Sequence, residues 1–184
     1  MKERVFDPRH LDVTAFARAA GRLEGELALP RLPRLAEGAV AAELAGASPV
    51  RWQLDGALRA QPGGESEYTL RLRAWASVPL ECQRCLSPVH EALELDRLFL
   101  FARDEEAAAR LDEQSEDDVL VLSRALDALE LLEDELILAL PLVPRHERCP
   151  QPLPLPEAAP EEAEEARESP FAALAALRRK GSPG

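Results

Sequence analysis

The residues of this chain that are best suited to chemistry stand in two short clusters. Cys82 and Cys85 form a C-x-x-C pair, and His146 and Cys149 form an H-x-x-C pair later in the chain. A two-residue spacer lets the chain curl so that both side chains of a pair reach one ion, and thiolates with an imidazole are ligands that zinc favours. The spacing therefore predicts a four-coordinate, closed zinc site of the structural kind, which ties the middle of the chain to its later third.

Other chemistries of the same cysteines stay open at this point. The thiols of Cys82 and Cys85 can be reduced and buried, or they can be redox-active if their pKa is low and they are exposed. A Cys82–Cys85 disulfide fits less well, because the chain has the features of a cytosolic protein. Three cysteines in 184 residues do not make a secreted disulfide framework.

Nothing else in the sequence indicates an enzyme. The chain has no phosphate-binding glycine loop, no dinucleotide fingerprint and no nucleophile elbow. His10 and His90 each stand apart from other candidate catalytic residues, and we expect both to be surface or partly buried polar residues. We therefore predict a protein without catalytic activity.

Composition and charge indicate the cellular setting and the type of partner. No stretch approaches the roughly 20 apolar residues of a membrane span, and the charged start of the chain is not typical of a signal peptide, so we expect a cytoplasmic protein without a membrane partner. The net charge is −12, and residues 103–135 alone carry 13 acidic and 3 basic side chains. Such an acidic segment repels phosphate backbones and suits a basic partner.

The hydrophobic pattern predicts an α+β fold. Alternating polar and apolar residues predict strands over 22–29, 40–44, 50–58, 68–78 and 89–101, and a brief strand over 119–122. Helical spacing predicts helices over 12–20 and 104–111, and one long helix from an N-cap at Ser123 to about Leu140. Strands at this spacing favour an antiparallel β-meander or an open, barrel-like sheet, which the long helix covers.

The composition changes after Cys149, and this change predicts the domain organisation. Residues 1–149 form the predicted α+β core domain, and residues 150–168 form a disordered linker rich in proline and glutamate. Residues 169–184 form a short C-terminal helix and tail, in which proline at the first helical position and a basic end suit a helix. A helix of about ten residues is marginal on its own and needs a surface to dock on. That surface can belong to its own domain or, in the functional alternative, to a partner that binds the helix in a groove. The predicted contact residues of the helix are an apolar stripe and a basic end: Phe171, Leu174, Leu177, Arg178, Arg179 and Lys180.

Three segments together resemble a known family. They are the segment around Cys82 and Cys85, the run E-D-E-L-I-L-A-L-P-L-V-P over 133–144 with His146 just after it, and residues 170–180. Their order and spacing resemble the YceD family of bacteria and plastids, also called the large ribosomal RNA subunit accumulation protein. This resemblance implies a cytoplasmic factor that supports synthesis, processing or stability of 23S ribosomal RNA, and it assigns no catalytic residue.

The leading hypothesis is therefore a non-enzymatic ribosome-biogenesis factor. Its acidic surface would contact a pre-ribosomal particle, a ribosomal protein or an RNA-processing enzyme, so that contact with ribosomal RNA could be indirect. A second hypothesis is a direct RNA-binding module, in which Arg71, Arg73 and Trp75 on one face of a strand form a basic stacking platform. A third hypothesis is a zinc- or redox-responsive regulatory adaptor that acts through Cys82 and Cys85. The oligomeric state does not follow from the sequence.

Overall fold

A five-stranded sheet, with one face buried under short helices, forms the fold. The computed structural model of the protein describes residues 5–60 and 66–150. The order of strands in the sheet is the order in the chain, β1-β2-β3-β4-β5. The elements are α1 (Val13–Arg18), β1 (Arg22–Leu27), a 3-10 helix (Leu29–Arg31), α2 (Pro33–Glu37), a second 3-10 helix (Leu44–Gly46), β2 (Val50–Arg59), β3 (Glu67–Glu81), β4 (Pro88–Ala102), α3 (Glu105–Asp112), β5 (Asp118–Val121) and α4 (Ala128–Leu138).

The first four strands form the predicted antiparallel meander. β1 pairs with β2, β2 with β3 and β3 with β4, all antiparallel. β5 instead runs parallel to β4. A parallel neighbour needs a crossover of a dozen or more residues, and the segment 103–117 with α3 provides it.

One face of the sheet holds the core. The predicted inward residues of β3 from Leu70 to Ala76 are buried, and Leu54 and Phe99 lie beside them on the neighbouring strands. Phe16 of α1 packs against this face where β2 carries Gly56, and a Cβ at Gly56 would stand 2.5 Å from its ring. The glycine therefore gives the aromatic ring room against the sheet.

The predicted long helix is wrong in its length and in its cap. α4 begins at Ala128, and its N-cap is Asp127, whose carboxylate accepts hydrogen bonds from the backbone N–H groups of Leu129 and Glu130. The preceding residues are not helical, because the backbone of Leu126 exchanges two hydrogen bonds with that of Leu11. Ser123 instead accepts a hydrogen bond from the Ala125 N–H in a turn.

The barrel-like alternative and one strand are also wrong. Within the described ranges the sheet is open, with β1 at one edge and β5 at the other. Residues 40–44 form a turn and the start of a 3-10 helix rather than a strand. The Val40 N–H donates to the carbonyl of Pro79, which holds this segment across the end of β3 instead of in the sheet. Coverage of the core face is shared between α1 and α4.

Other predictions about the chain's organisation remain predictions. The described residues up to Pro150 belong to one compact unit. The proposed linker over 150–168, apart from Pro150, and the C-terminal helix lie outside the described residues. Among residues 5–60 and 66–150, no helix has the length and apolar character needed to cross a membrane.

Candidate metal centre and the surfaces around it

The four predicted ligands come together. One ligand atom from each of Cys82, Cys85, His146 and Cys149 lies within 4.8 Å of the others. The Sγ atoms of Cys82 and Cys149 are 3.9 Å apart, and the Sγ of Cys85 is 3.5 Å from Nδ1 of His146. The two halves of the motif, far apart in the chain, therefore form one cluster.

The C-x-x-C half sits in the turn that joins β3 to β4. Cys82 follows the last residue of β3, its N–H donates to the carbonyl of Ser87, and its carbonyl accepts from the N–H of Leu86. Leu86 adopts a left-handed conformation with φ of 60°. The turn therefore folds back tightly, and both thiols point toward the same point at the end of the hairpin.

The H-x-x-C half lies in the segment that follows α4. The backbone N–H of Gln83 donates to the carbonyl of Pro144 over 2.9 Å. The Arg84 guanidinium donates to the carbonyls of His146 and Glu147 over 2.8 and 3.3 Å. The C-x-x-C turn therefore provides both the first two ligands and the hydrogen bonds that hold the second two in place.

Arg84 also contacts a ligand directly. Its Nε donates to the Sγ of Cys149 over 3.0 Å. Three thiolates and a neutral imidazole around Zn²⁺ leave one net negative charge, which the guanidinium can balance. Sequence analysis did not select Arg84, although its place inside the C-x-x-C spacer was a usable signal, because a side chain there lies beside the ion.

Two separations between the candidate ligand atoms match those of a tetrahedral zinc site. Zn–S bonds of about 2.3 Å and Zn–N bonds of about 2.0–2.1 Å place two sulfurs about 3.8 Å apart and a sulfur and a nitrogen about 3.6 Å apart. The observed 3.9 Å between two sulfurs and 3.5 Å between sulfur and nitrogen agree closely. The donor set and the geometry therefore both fit zinc, with every position filled by protein.

The surroundings of Cys82 favour its thiolate. Burial raises the pKa of Cys82, but hydrogen bonds from the backbone N–H groups of His146, Arg84 and Cys85 outweigh it and lower the pKa to about 5. The pKa of Cys85 is also lowered, first by its hydrogen bond with the Ser87 side chain. These hydrogen bonds prepare the C-x-x-C half for a cation.

All three cysteines are free thiols, and no disulfide joins Cys82 to Cys85. Cys82 is fully buried, whereas Cys85 and Cys149 are half-buried. A buried thiolate is poorly placed to meet an oxidant, since reactive cysteines are partially exposed. The arrangement therefore fits metal ligation better than a redox switch.

The predicted RNA-contacting residues lie together on the outer face of the sheet, but their charges are engaged. Arg71 makes a two-pronged ion pair with Asp96, with both N–O distances 2.6 Å, and Arg73 pairs with Asp55 at 2.6 Å. The ring of Trp75 is covered on one side by the Arg51 guanidinium, 5.8 Å from the ring centre. Phosphate groups would have to compete with these carboxylates, so the face is less basic than its arginines suggest.

The acidic run Glu133-Asp134-Glu135 of α4 holds the fold together. The buried Glu133 carboxylate accepts hydrogen bonds from the backbone N–H groups of Arg34 and Leu35 at the start of α2, and it pairs with the Arg34 side chain. Asp134 pairs with the same guanidinium. The Glu135 carboxylate pairs with Arg97 at 3.1 Å on the core side of β4. The E-D-E run thus fixes α4 to two other elements.

The predicted partner-binding residues of the C-terminal segment lie outside the described residues. They are Phe171, Leu174, Leu177, Arg178, Arg179 and Lys180. Their role stays a prediction.

Comparison with known proteins assigns the chain to a family. The family model described as "Large ribosomal RNA subunit accumulation protein YceD" matches residues 70–178, more than half of the chain. A relative of that name from Haemophilus influenzae (strain ATCC 51907 / DSM 11121 / KW20 / Rd) is 40% identical over 74 residues, which are 39% of this chain and 42% of the relative. The match thus spans less than half the length of that relative, and no solved structure matches the chain. The matched region contains all four residues of the metal cluster and the E-D-E run, and the chain belongs to the YceD family.

Proposed function

We propose that this protein supports the accumulation of 23S ribosomal RNA in the cytoplasm as a non-enzymatic factor. The observation that carries the proposal is the family match over residues 70–178, because the name of the family refers to accumulation of large-subunit ribosomal RNA. The relative from Haemophilus influenzae carries the same name. The metal cluster fits this role, since it has the closed form of a structural site rather than the open form of a catalytic one.

Zinc in this proposal is a structural cofactor. It would be held by Cys82, Cys85, His146 and Cys149, and it would supply a cross-link between the end of the β3–β4 hairpin and the segment after α4. Such a site contributes directly to folding, because the unfolded chain has no preformed set of ligands. The hydrogen bonds from Gln83 and Arg84 to that segment reinforce the same connection.

The proposed contact with the ribosome-assembly pathway is through a basic protein partner. The acidic residues 103–135 lie on α3, β5, the first two turns of α4 and the segments between them. The exposed carboxylates of this segment, which exclude the buried Glu133 and Glu135, would attract a ribosomal protein or an RNA-processing enzyme and repel bare RNA. The ion pairs on the outer face of the sheet support the same choice, because they occupy the cations of the alternative RNA platform.

The in-cell test is depletion of this protein. We expect the ratio of 23S to 16S ribosomal RNA in total RNA to fall, and expression of the full chain to restore it. An unchanged ratio in depleted cells would overturn the proposed function.

Deleting residues 165–184 tests the C-terminal segment separately. We expect the shortened chain to associate more weakly with pre-ribosomal particles and to keep its fold. Unchanged association would remove this segment from the mechanism.

Binding measurements separate a protein partner from an RNA partner. We expect the purified chain to co-sediment with large-subunit precursor particles but not with the same ribosomal RNA stripped of protein. Tight binding to the stripped RNA, with a steep loss of affinity as salt rises, would instead favour direct RNA recognition.

A further inference from the structure

A groove of about 530 Å³ runs along the open edge of the sheet at β5. Its floor includes Val119 and Leu120 of β5, and its walls include the last residue of α3, Asp112, and Leu131 and Leu138 of α4. The groove is therefore lined by the last strand of the sheet, by α4 and by the end of α3.

The floor of the groove offers backbone hydrogen bonds. Within the described part of the chain β5 pairs with β4 alone. Its other edge therefore presents a row of N–H and C=O groups, and an extended segment of another chain can pair with such an edge. β5 has four residues, and each of them is only half-buried, so part of this strand is open to solvent.

The walls of the groove offer an apolar contact. Leu138, in the last turn of α4, is 75% exposed, although most leucines of α4 and the sheet are buried. Val119, Leu120 and Leu131 beside it are half-buried. An apolar side chain inserted here would remove this surface from water at a gain of roughly 25 cal/mol for each Å² buried.

The rim of the groove selects the charge of the occupant. Four carboxylates line it, from Asp112, Asp118, Asp134 and Glu135. Only two arginines, Arg34 and Arg97, pair with these four carboxylates, so the rim keeps an excess of negative charge. Ribosomal RNA and a second copy of this chain, with its net charge of −12, are both disfavoured by that charge.

We propose that this groove binds an extended, basic segment of a protein partner. The segment pairs with the free edge of β5, places an apolar side chain against Leu138 and directs lysine or arginine side chains to the carboxylates of the rim. This inference rests on the proposed function, because it takes the partner to be a protein of the large-subunit precursor. It adds the position of the contact and the chemistry of the segment that is bound.

Photo-crosslinking identifies the occupant. In this experiment a photo-reactive amino acid replaces Leu138 in the full chain. The protein is then mixed with purified large-subunit precursor particles and irradiated. We expect crosslinks to a lysine- and arginine-rich segment of a protein in the particle. The same photo-reactive residue in place of Leu58, which is 45% exposed and does not line the groove, is the control and should not give that crosslink. Crosslinks from position 138 only to ribosomal RNA, or only to a second copy of the chain, would overturn the proposal.

Affinity measurements separate failure of the groove from failure of the function. We expect Leu138→Ser to weaken co-sedimentation with the particles by at least about tenfold. Leu142→Ser, at an exposed leucine that does not line the groove, should leave it unchanged. Both variants should unfold at the same temperature as the natural chain, because neither side chain is in the core. If the natural chain binds and Leu138→Ser binds equally well, the groove is excluded and the proposed function stands. If the natural chain does not bind the particles, the proposed function fails, and the groove proposal fails with it.

Discussion

The Sγ atoms of Cys82 and Cys149 lie 3.9 Å apart across a separation of 67 residues. This distance is close to the edge of a tetrahedron of sulfur ligands around zinc, about 3.8 Å. The two cysteines stand at the end of the β3–β4 hairpin and in the segment after α4. An ion between them would join two parts of the fold that the backbone hydrogen bond from Gln83 to Pro144 also connects. Zinc bound at this cluster would therefore hold in place the segment that follows the E-D-E run.

Replacing one ligand should remove the metal. We expect the natural chain to purify with about one zinc per molecule and His146→Ala to lose most of it, because three ligands hold zinc less tightly than a closed set of four. His90→Ala is the matched control, since His90 is exposed on β4 and away from the cluster. Elemental analysis by mass spectrometry measures the zinc, and a natural chain that binds none when purified with zinc present would contradict the assignment.

Arg84 should control how firmly the zinc is held. Its Nε donates to Cys149, and its Nη2 donates to the His146 carbonyl. Loss of a group that supports metal ligands typically costs 10–100-fold in metal affinity. We therefore expect Arg84→Gln to retain zinc but to release it to a chelator at least about tenfold faster. Arg145→Gln, a change of the same type at an exposed position, should release zinc at the natural rate; equal rates for both variants would show that Arg84 does not act on the site.

Glu133 should be important for stability. Its buried carboxylate accepts two backbone hydrogen bonds at the start of α2 and pairs with Arg34. Hydrogen bonds to a charged group contribute about 1.5–3 kcal/mol, so Glu133→Gln should lower the free energy of unfolding by an amount of this order. Glu130→Gln, on the exposed side of the same helix, should change it by less than about 0.5 kcal/mol. Urea unfolding of the two variants measures the difference, and similar midpoints would contradict the structural role of Glu133.

Acid should destabilise the fold partly through Asp96. Its hydrogen bonds with Arg71 hold the pKa of this carboxyl below the ordinary value of 3.8. The folded state then binds the proton more weakly than the unfolded state, so this stabilisation is present above pH 3.8 and is lost as the pH falls through the folded-state pKa. As the pH falls below about 4, we expect the free energy of unfolding of Asp96→Asn to decrease less than that of the natural chain. Urea unfolding at each pH measures this difference. Because both chains keep the same zinc ligands, loss of zinc affects them alike, and identical pH profiles would contradict the prediction.

The local features of the fold could be predicted from the sequence. The alternating patterns of β2, β3 and β4 give the correct strands and inward faces, because one side of the sheet is buried and the other faces solvent. The clustering of Cys82, Cys85, His146 and Cys149 was also predicted, because each pair is a short motif whose spacing allows both residues to reach one point. The α3 helix follows from its Asp104 cap and was predicted nearly in full.

The features that depend on distant contacts could not be predicted. The long helix failed because Leu126 pairs with Leu11, and no local pattern contains that pairing. The parallel direction of β5 and the groove at its edge depend on how three separate elements meet. The arginines of the outer face looked available for RNA because their acidic partners, Asp55 and Asp96, come from neighbouring strands.

The most direct test of the central claim is a sucrose-gradient ribosome profile, with ribosomal RNA quantified, in cells depleted of this protein. We predict a selective shortage of large subunits and of 23S ribosomal RNA, with small subunits preserved and with recovery when the full chain is expressed. Normal levels of large subunits in depleted cells would show that this protein does not support their accumulation.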